Sequence, residues 1–201
     1  MRLILATRNS GKMAEIMHLL EGMPVDVSSL ADHPEVQDVV EDGATFIANA
    51  RKKAREAAAA TGCWALADDS GLVVVALGGA PGVMSARYAG SQGDYRANNE
   101  KLLRELSAVP DGKRQAAFVC AMVLASPDGR EWGTEGRCEG EIIREHRGSG
   151  GFGYDPLFYV PSEGATMAEL PMVRKNAISH RGRALMQMKE ILVEILRESE
   201  E

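Results

Sequence analysis

The chain has 201 residues, 45% of them apolar, which is enough to bury one sizeable core. Its net charge of −6 disfavours the extended basic surface that binds nucleic acid or anionic lipid, although it permits a small anion held by a few local cations. Three widely spaced cysteines without a C-x-x-C motif support neither a disulfide framework nor a zinc site. The apolar run at residues 3–6 is too short for a signal peptide core or a membrane span. We therefore expect a single domain over residues 1–201, located in the cytoplasm, without a nucleic-acid or membrane partner.

The apolar pattern predicts alternating strands and helices. Residues 2–6 are predicted to form a strand, and apolar residues recur at helical spacing from Met13 to Leu20, before Gly22 and Pro24 end the helix. The next predicted elements are a strand over 25–29, a polar loop over 31–42, an alanine-rich helix over 44–61, strands over 64–67 and 72–77, and a glycine-rich loop over 78–93. After them come a helix over 95–106, strands over 115–125 and 131–145 paired as a hairpin, a strand over 157–160, and a helix over 179–198. The glutamate-rich C-terminal end is expected to be solvated.

The turn between the first strand and the first helix is a candidate phosphate site. It presents backbone N–H groups and the positive end of a helix, and Lys12 adds a point charge. An ordinary capped turn, with Ser10 as the N-cap, is the alternative. A Walker A loop would need glycine in place of Ala6 and serine or threonine in place of Met13, so a standard P-loop ATPase is disfavoured. The candidate substrate-binding residues of the turn are Thr7, Arg8, Asn9, Ser10, Gly11 and Lys12.

A second candidate site is acidic. Glu41 precedes a predicted helix, and Asp68 and Asp69 are adjacent at the predicted end of a strand. Magnesium prefers oxygen ligands and usually takes one or two protein carboxylates together with substrate phosphates. A turn over residues 68–71, whose aspartates bond to the nearby backbone, is the alternative. Because two adjacent like charges are poorly explained without a cation or a proton between them, the pattern favours a magnesium site.

Two cationic side chains stand at the predicted start of the last helix. Ser179 is the predicted N-cap, so His180 and Arg181 fall in the first turn, where cations oppose the helix macrodipole. A bound anion or an electron-rich ring would explain these two residues. The alternative is that both side chains extend into solvent.

Glycines alternate with aromatic residues over positions 151–156. In this segment Phe152 is placed to stack on a planar ligand, while Asp155 meets its polar edge. The alternative is a glycine-hinged turn whose aromatic residues fill the core. Gly153 and Tyr154 belong to the same candidate segment.

Taken in chain order, these segments resemble the Ham1 family of inosine triphosphate pyrophosphatases. The resemblance is carried by the T-x-N-x-x-K turn at 7–12 and by residues 41–54, 67–71, 81–90, 151–156 and 175–181. Each motif is short, but their joint order and spacing extend over nearly the whole chain. The resemblance implies an α/β fold with a mixed central sheet flanked by helices, two lobes with a substrate cleft, and a homodimer. It also implies magnesium-dependent hydrolysis of non-canonical purine nucleoside triphosphates (ITP, dITP and XTP) to the monophosphate and pyrophosphate.

The resemblance further implies a role for each matching position. Lys12 and Lys53 would hold the triphosphate, whereas Glu41 and Asp69 would bind Mg²⁺. Asp69 would also be the base that activates water. The substrate contacts that the resemblance implies are Ser70, Phe152, Gly153, Tyr154, Asp155, Lys175, His180 and Arg181, with Asp68 and Arg87 as additional candidates.

The chain departs from the family pattern at two positions. Ala48 replaces a glutamate that is common in the family, and Met84 stands where the family often has an aromatic or polar residue. Neither position is assigned to the chemistry. The departures therefore concern local helix contacts more than activity.

In the implied reaction, water attacks the α-phosphorus in line and pyrophosphate leaves. Because Arg181 is always a hydrogen-bond donor, it suits a 6-oxo purine and opposes the amino group of adenine. An unsatisfied buried donor costs about 1–3 kcal/mol, so we expect discrimination against ATP. Guanine shares the 6-oxo group, and the sequence identifies no residue that would exclude it.

Two other functions fit part of the pattern. Maf-like nucleotide pyrophosphatases share the general architecture but favour other nucleotides, and the segment 179–181 argues for the purine-specific enzymes instead. A non-catalytic nucleotide-binding module is the other alternative. Glu41, Asp68 and Asp69 argue against it, because a pure binder gains little from carboxylates near phosphates.

Overall fold

The computed structural model of the protein describes residues 1–34 and 36–198. Along these residues, strands and α-helices follow in the order β1 (Arg2–Leu5), α1 (Ser10–Leu20), β2 (Asp26–Ser29), α2 (Phe46–Thr61), β3 (Trp64–Val74), α3 (Tyr95–Glu105), β4 (Gln115–Ala125), β5 (Glu131–Ile142), β6 (Phe158–Val160), β7 (Ala165–Thr166), α4 (Met172–Ile178) and α5 (His180–Glu198). Short 3₁₀ helices lie at Leu30–Asp32, Val75–Leu77 and Gly82–Arg87. The glutamate-rich end at 199–201, predicted to be solvated, lies outside the described residues, as does position 35 of the predicted polar loop. None of the described helices is long and apolar enough to cross a membrane.

The strands form one mixed sheet in the order β2-β1-β3-β4-β5-β6-β7. Strand β1 is parallel to both of its neighbours, with Leu3 opposite Val27 of β2 and Trp64 of β3. Strand β6 is antiparallel to β5 and to β7. Parallel neighbours require a crossover connection, which α1 and α2 supply, whereas the five residues between β4 and β5 suffice for a hairpin. The predicted α/β fold with a mixed sheet flanked by helices is confirmed.

Two helix starts show how local sequence sets the boundaries. Asn9, not Ser10, caps α1: its side chain accepts a hydrogen bond from the backbone N–H of Lys12 at 3.0 Å, and Ser10 is the first helical residue. The alternative proposed for this turn was therefore wrong in assigning Ser10 as the N-cap. Helix α2 begins after Thr45, whose hydroxyl accepts from a backbone N–H, and ends at Gly62 in the left-handed region.

Strand β3 corrects the largest error in the predicted elements. Two strands separated by a turn at 68–71 were expected, but a single strand runs without interruption from Trp64 to Val74. Asp68 and Asp69 are therefore interior strand residues and are buried, so both the strand end and the turn were wrong placements. Each carboxylate contacts side chains of other elements, Asp68 those of Lys12 and Arg181 and Asp69 that of Asn49, a long-range effect that the local polar sequence does not show.

Smaller differences occur elsewhere. Helix α4 was not predicted, because its seven residues are too few to show a clear helical period. The loop over 78–93 contains a 3₁₀ helix at Gly82–Arg87, and β5 ends at Ile142 rather than at 145. Strand β7, only two residues long, was not predicted either. The other strands and helices lie within about three residues of their predicted bounds, which is the usual uncertainty of a predicted element end.

The chain divides into two compact units. Unit 1 comprises Met1–Asp69, Cys120–Gly136 and the chain from Arg181 onward, and unit 2 comprises Ser70–Val119 and Arg137–His180. The single domain over 1–201 and its cleft between two lobes stay predictions.

The core of unit 1 lies on both faces of β1, because successive strand residues point in opposite directions. Leu3 and Leu5 pack with apolar side chains of α1 and α5, whereas Ile4 and Ala6 pack with the alanines of α2. The small side chains of Ala50, Ala54, Ala57 and Ala58 are almost fully buried, so α2 approaches the sheet closely. Unit 2 has its own core, centred on Leu72, Leu102, Phe118, Ile142, Leu157 and Phe158.

Candidate active site

Unit 1 contains a group of polar side chains, the carboxylate–lysine centre, formed by the half-buried Glu41 and the buried Asn49, Lys53, Asp68 and Asp69. The Nζ of Lys53 donates to Oε1 of Glu41 at 2.6 Å and to the backbone carbonyl of Asp68 at 2.6 Å. The Nδ2 of Asn49 donates to Oδ2 of Asp69 at 2.9 Å. Asn49 and Lys53 are four residues apart on α2, so the same buried helix face supplies both donors.

The ionisation of this centre is shifted by burial and by its own charges. Burial raises the pKa of Asp69, and the neighbouring Glu41 adds to the rise, although Lys53 and Lys12 oppose it. Burial lowers the pKa of Lys53, but the carboxylates of Asp68, Glu41 and Asp69 outweigh it, so the pKa is raised overall. The centre therefore pairs a lysine whose charged form is favoured with a carboxylate that accepts a proton more readily than an exposed aspartate does.

Asp68 belongs to a buried row of alternating charges that runs from Glu15 through Arg181 and Asp68 to Lys12. Arg181 donates to Oδ2 of Asp68 at 3.3 and 3.4 Å and is also paired with Glu15. Lys12 Nζ lies 3.0 Å from the same Oδ2 of Asp68. Burial lowers the pKa of Arg181, but Asp68 and Glu15 outweigh it and raise the pKa overall. A cation at the start of α5 is thus explained by two carboxylates within unit 1.

The two cations at the start of α5 are both buried. His180 is 6% exposed and Arg181 is 2% exposed, so the alternative that they extend into solvent was wrong. The imidazole of His180, in unit 2, stacks on the ring of Phe118, with a centroid distance of 4.8 Å and an interplanar angle of 19°. Each side chain is therefore held by its own unit.

The turn between β1 and α1 is held by its own side chains. Arg8 donates to Oδ1 of Asp38 at 2.7 Å and to the carbonyls of Leu30 and Val36 at 2.7 and 2.6 Å. The N–H of Asn9 donates to the hydroxyl of Thr7 at 3.2 Å. Arg8, predicted to bind substrate, thus ties the turn to the chain at 30–38, while Ser10 and Gly11 form the first turn of α1.

The donor set of the carboxylate–lysine centre fits a magnesium ion. Within residues 1–34 and 36–198, no group of three or more histidine, cysteine, aspartate or glutamate side chains is arranged to hold a metal. Magnesium needs fewer, because it commonly takes one or two carboxylates and completes its shell with water and substrate phosphates. The charge of Glu41 contributes to the raised pKa of Asp69, and a divalent cation beside the two carboxylates would offset that repulsion.

Unit 2 contains a second group, the aromatic centre, formed by Phe152, Asp155 and Lys175. The N–H of Phe152 donates to Oδ2 of Asp155 at 2.9 Å, and Lys175 Nζ donates to the same oxygen at 2.6 Å. Lys175 Nζ also lies 5.1 Å from the centroid of the Phe152 ring. Asp155 and Lys175 are buried, whereas Phe152 is half-buried. A partly exposed ring beside a buried ion pair is an arrangement that can stack on a planar ligand.

The other predicted residues of unit 2 have different surroundings. Tyr154 is 5% exposed and donates to the carbonyl of Ser85 at 2.9 Å, so its side chain is part of the core. The carbonyl of Gly153 accepts from Asn99 at 3.0 Å. Ser70 follows Asp69 on β3 and is half-buried, and Arg87, also half-buried, ends a 3₁₀ helix.

Sequence reasoning missed three residues of these groups. Asn49 lies one helical turn before Lys53, a spacing that would have identified it once α2 was assigned. Glu15 pairs with Arg181, which lies 166 positions away, and Asn99 bonds to Gly153, which lies 54 positions away. No local pattern reveals partners at those separations.

The fold and the two centres define an α/β protein with a buried group of carboxylates and lysines. The model of the Ham1 family matches residues 3–191. The chain belongs to the Ham1 family, and the resemblance in the sequence motifs is confirmed. It is similar to the dITP/XTP pyrophosphatase of Geobacter sulfurreducens, with 56% identity over 95% of this chain and 96% of that protein. It is also similar to the dITP/XTP pyrophosphatase of Desulforamulus reducens, with 55% identity over 96% of each.

Solved structures agree with this assignment. A HAM1 protein from Coxiella burnetii superimposes with a TM-score of 0.88 and 46% identity, covering 96% of this chain and 99% of that one. The nucleoside-triphosphatase, or dITP/XTP pyrophosphatase, from Mycobacterium abscessus has a TM-score of 0.76 and 48% identity, covering 94% and 98%. Near-complete coverage in both directions means that nearly all of the described part of the chain shares the family fold.

Proposed function

We propose that this protein hydrolyses non-canonical purine nucleoside triphosphates, such as ITP, dITP and XTP, to the nucleoside monophosphate and pyrophosphate. The observation that carries the proposal is the carboxylate–lysine centre, in which Asp69 has a raised pKa beside Lys53 and Glu41. Relatives that carry the name dITP/XTP pyrophosphatase over almost their full length support the substrate class. The reaction would remove these nucleotides from the cellular pool.

The proposed chemistry uses Asp69 as the general base. A carboxylate with a raised pKa is a better proton acceptor for an attacking water than an ordinary aspartate. The amide of Asn49, bound at 2.9 Å, fixes the orientation of that carboxylate. Lys12 and Lys53, which belong to the same unit, would stabilise the negative charge that develops on the departing pyrophosphate.

Magnesium dependence is part of the proposal. Glu41 and Asp69 are the residues that would hold the ion, since their oxygen atoms match its preference and their mutual repulsion is unfavourable without a cation. When bound, magnesium supplies charge neutralisation at the phosphate oxygens. Lys53 Nζ, which donates to Glu41 at 2.6 Å, then orients that carboxylate.

Base recognition is assigned to the aromatic centre. Phe152 would stack on the purine, and the buried pair of Asp155 and Lys175 would meet its polar edge. A direct reading of the 6-oxo group by Arg181 stays a prediction. Its contacts with Asp68 and Glu15 support a role in holding the acidic side chains of unit 1.

A homodimer in the cytoplasm completes the proposal and rests on the family resemblance. Size-exclusion chromatography with light scattering checks the dimer, and a monomer at micromolar concentration would contradict it. The dimer assignment is independent of the reaction, because every group assigned to the chemistry above belongs to this chain.

The test of the function is a substrate panel. Purified protein is incubated with ITP, dITP, XTP, GTP and ATP, with magnesium and then with a chelator, and pyrophosphate is measured separately from orthophosphate. Magnesium-dependent pyrophosphate from the first three nucleotides, with much less from ATP, is the expected result. Orthophosphate as the product would move the attack to the terminal phosphate. Binding of ITP without any turnover would instead indicate a nucleotide-binding module.

A further inference from the structure

Helix α3 carries a buried amide that contacts the aromatic centre. Asn99 is 5% exposed, and its Nδ2 donates to the carbonyl of Gly153 at 3.0 Å. One helical turn earlier, the ring of Tyr95 lies 6.1 Å from the ring of Phe152. The same face of α3 therefore contacts two consecutive residues of the segment that carries the proposed purine-stacking ring.

The hydrogen bonding of Asn99 is incomplete in a way that stability does not explain. Among the described residues, no hydrogen-bond partner faces its Oδ1, although that atom is buried. A buried acceptor without a partner is unfavourable, and an apolar side chain of similar size would avoid the penalty. A requirement for stability alone would therefore favour leucine at this position.

The preceding residue, Asn98, gives a direct contrast. Its Oδ1 accepts from the N–H of Ala89 at 2.7 Å, and its Nδ2 donates to the carbonyls of Ser85 and Ala86 at 3.4 and 3.3 Å. Both ends of this amide are used to hold the segment that follows the 3₁₀ helix. Asn98 is a structural residue by this criterion, whereas Asn99 makes a single bond, to the carbonyl next to Phe152.

We propose that Asn99 is a positioning residue for base recognition, which fixes the Phe152–Gly153 segment so that the Phe152 ring is already placed when the purine arrives. The inference rests on the proposed function, in which Phe152 stacks on the base. A tethered segment loses less conformational freedom on binding than a loose one, so the tether lowers KM. The groups assigned to the chemistry are other residues, so kcat does not depend on the tether.

The main test is Asn99→Leu, which removes the donor and the partnerless acceptor together. We expect KM for ITP to rise about three- to tenfold, the equivalent of one hydrogen bond, with kcat unchanged within about twofold. The melting temperature should stay within about 3 °C of the parent, because the lost bond and the removed buried acceptor offset each other. Asn99→Ala serves if the leucine variant does not fold.

Two matched controls lie on the same helix. Asn98→Leu should lower the melting temperature by several degrees, about 2–4 °C for each kcal/mol lost, because all of its hydrogen bonds disappear. Arg96→Ala, on the exposed side and paired with Glu100 at 3.6 Å, should change neither KM nor the melting temperature.

Hydrogen exchange separates this inference from the proposed function. Without ligand, the amide of Phe152 should exchange faster in Asn99→Leu than in the parent. If the parent protein does not turn over ITP but the Phe152 amide exchanges faster in Asn99→Leu, the tether by Asn99 is supported and the proposed function is wrong. If the parent is active and the variant shows an unchanged KM, or a melting temperature lowered with KM unchanged, the positioning role is wrong.

Discussion

Replacing Asp69 with asparagine is the sharpest test of the chemistry, because the change removes one charge and leaves the shape of the side chain. The carboxylate is 5% exposed and accepts from Asn49 at 2.9 Å. The carbonyl oxygen of an asparagine can accept the same hydrogen bond. The substitution therefore removes the base while leaving the strand and its neighbours in place.

The expected loss of turnover follows from the role of the base. A positioned general base contributes about 10²- to 10⁴-fold, so kcat for ITP should fall at least about a hundredfold. That is a rise of about 2.7 kcal/mol in the activation barrier. The effect on stability has the opposite sign. Because the folded state raises the pKa of Asp69, the ionised carboxylate destabilises the fold above that pKa, so the melting temperature at neutral pH should be unchanged or higher.

Pyrophosphate release at saturating ITP and magnesium measures the first effect, and thermal unfolding at the same pH measures the second. Asp26→Asn, an exposed residue of β2 paired with Arg2 at 3.6 Å, is the matched control and should be without effect on either. Near-normal turnover in Asp69→Asn would exclude it as the base. A large fall in the melting temperature would mean that the charge supports the fold, contrary to the raised pKa.

Three further outcomes are expected. In the metal-free protein, the carboxyl of Asp69 should titrate above its ordinary pKa of 3.8, and magnesium should lower that pKa, as followed by carbon NMR; no shift on adding magnesium would remove Asp69 from the ligands. Gly151→Ala should raise KM for ITP at least about tenfold, because a Cβ at this left-handed residue would overlap Oδ2 of Asp155; unchanged kinetics would contradict the aromatic centre. Glu15→Gln should lower the melting temperature by about 5 °C or more, because Arg181 then keeps its buried charge with less compensation; a normal melting curve would show that the pair contributes little.

The sequence predicted the sheet and the longer helices because their apolar periods are strong. It also grouped Glu41 with Asp68 and Asp69 as one acidic site, whereas Lys53 was expected only from the family resemblance; in the structure Lys53 donates to Glu41, and Lys12 is paired with Asp68. It wrongly placed Asp68 and Asp69 at the end of a strand, because the continuation of β3 through these residues depends on side chains from elements that are distant in the sequence. For the same reason, the ion pairs of Arg181 were not predicted: Glu15 and Asp68 are 166 and 113 residues away.

Because β3 is uninterrupted, the adjacent residues Asp68 and Asp69 have different surroundings. In an extended strand, adjacent side chains project to opposite faces of the sheet. Leu66 packs on the same face as α1 and α5, so Asp68 contacts Lys12 and Arg181, whereas Ala67 packs on the face of α2, so Asp69 contacts Asn49. A shift of one residue in the register of β3 would turn both carboxylates to the opposite faces of the sheet. The proposed base, Asp69, would then face Lys12 and Arg181 instead of α2. The different surroundings of Asp68 and Asp69 are therefore set by the geometry of the strand, and they depend on the same pairing with β1 that holds the sheet together.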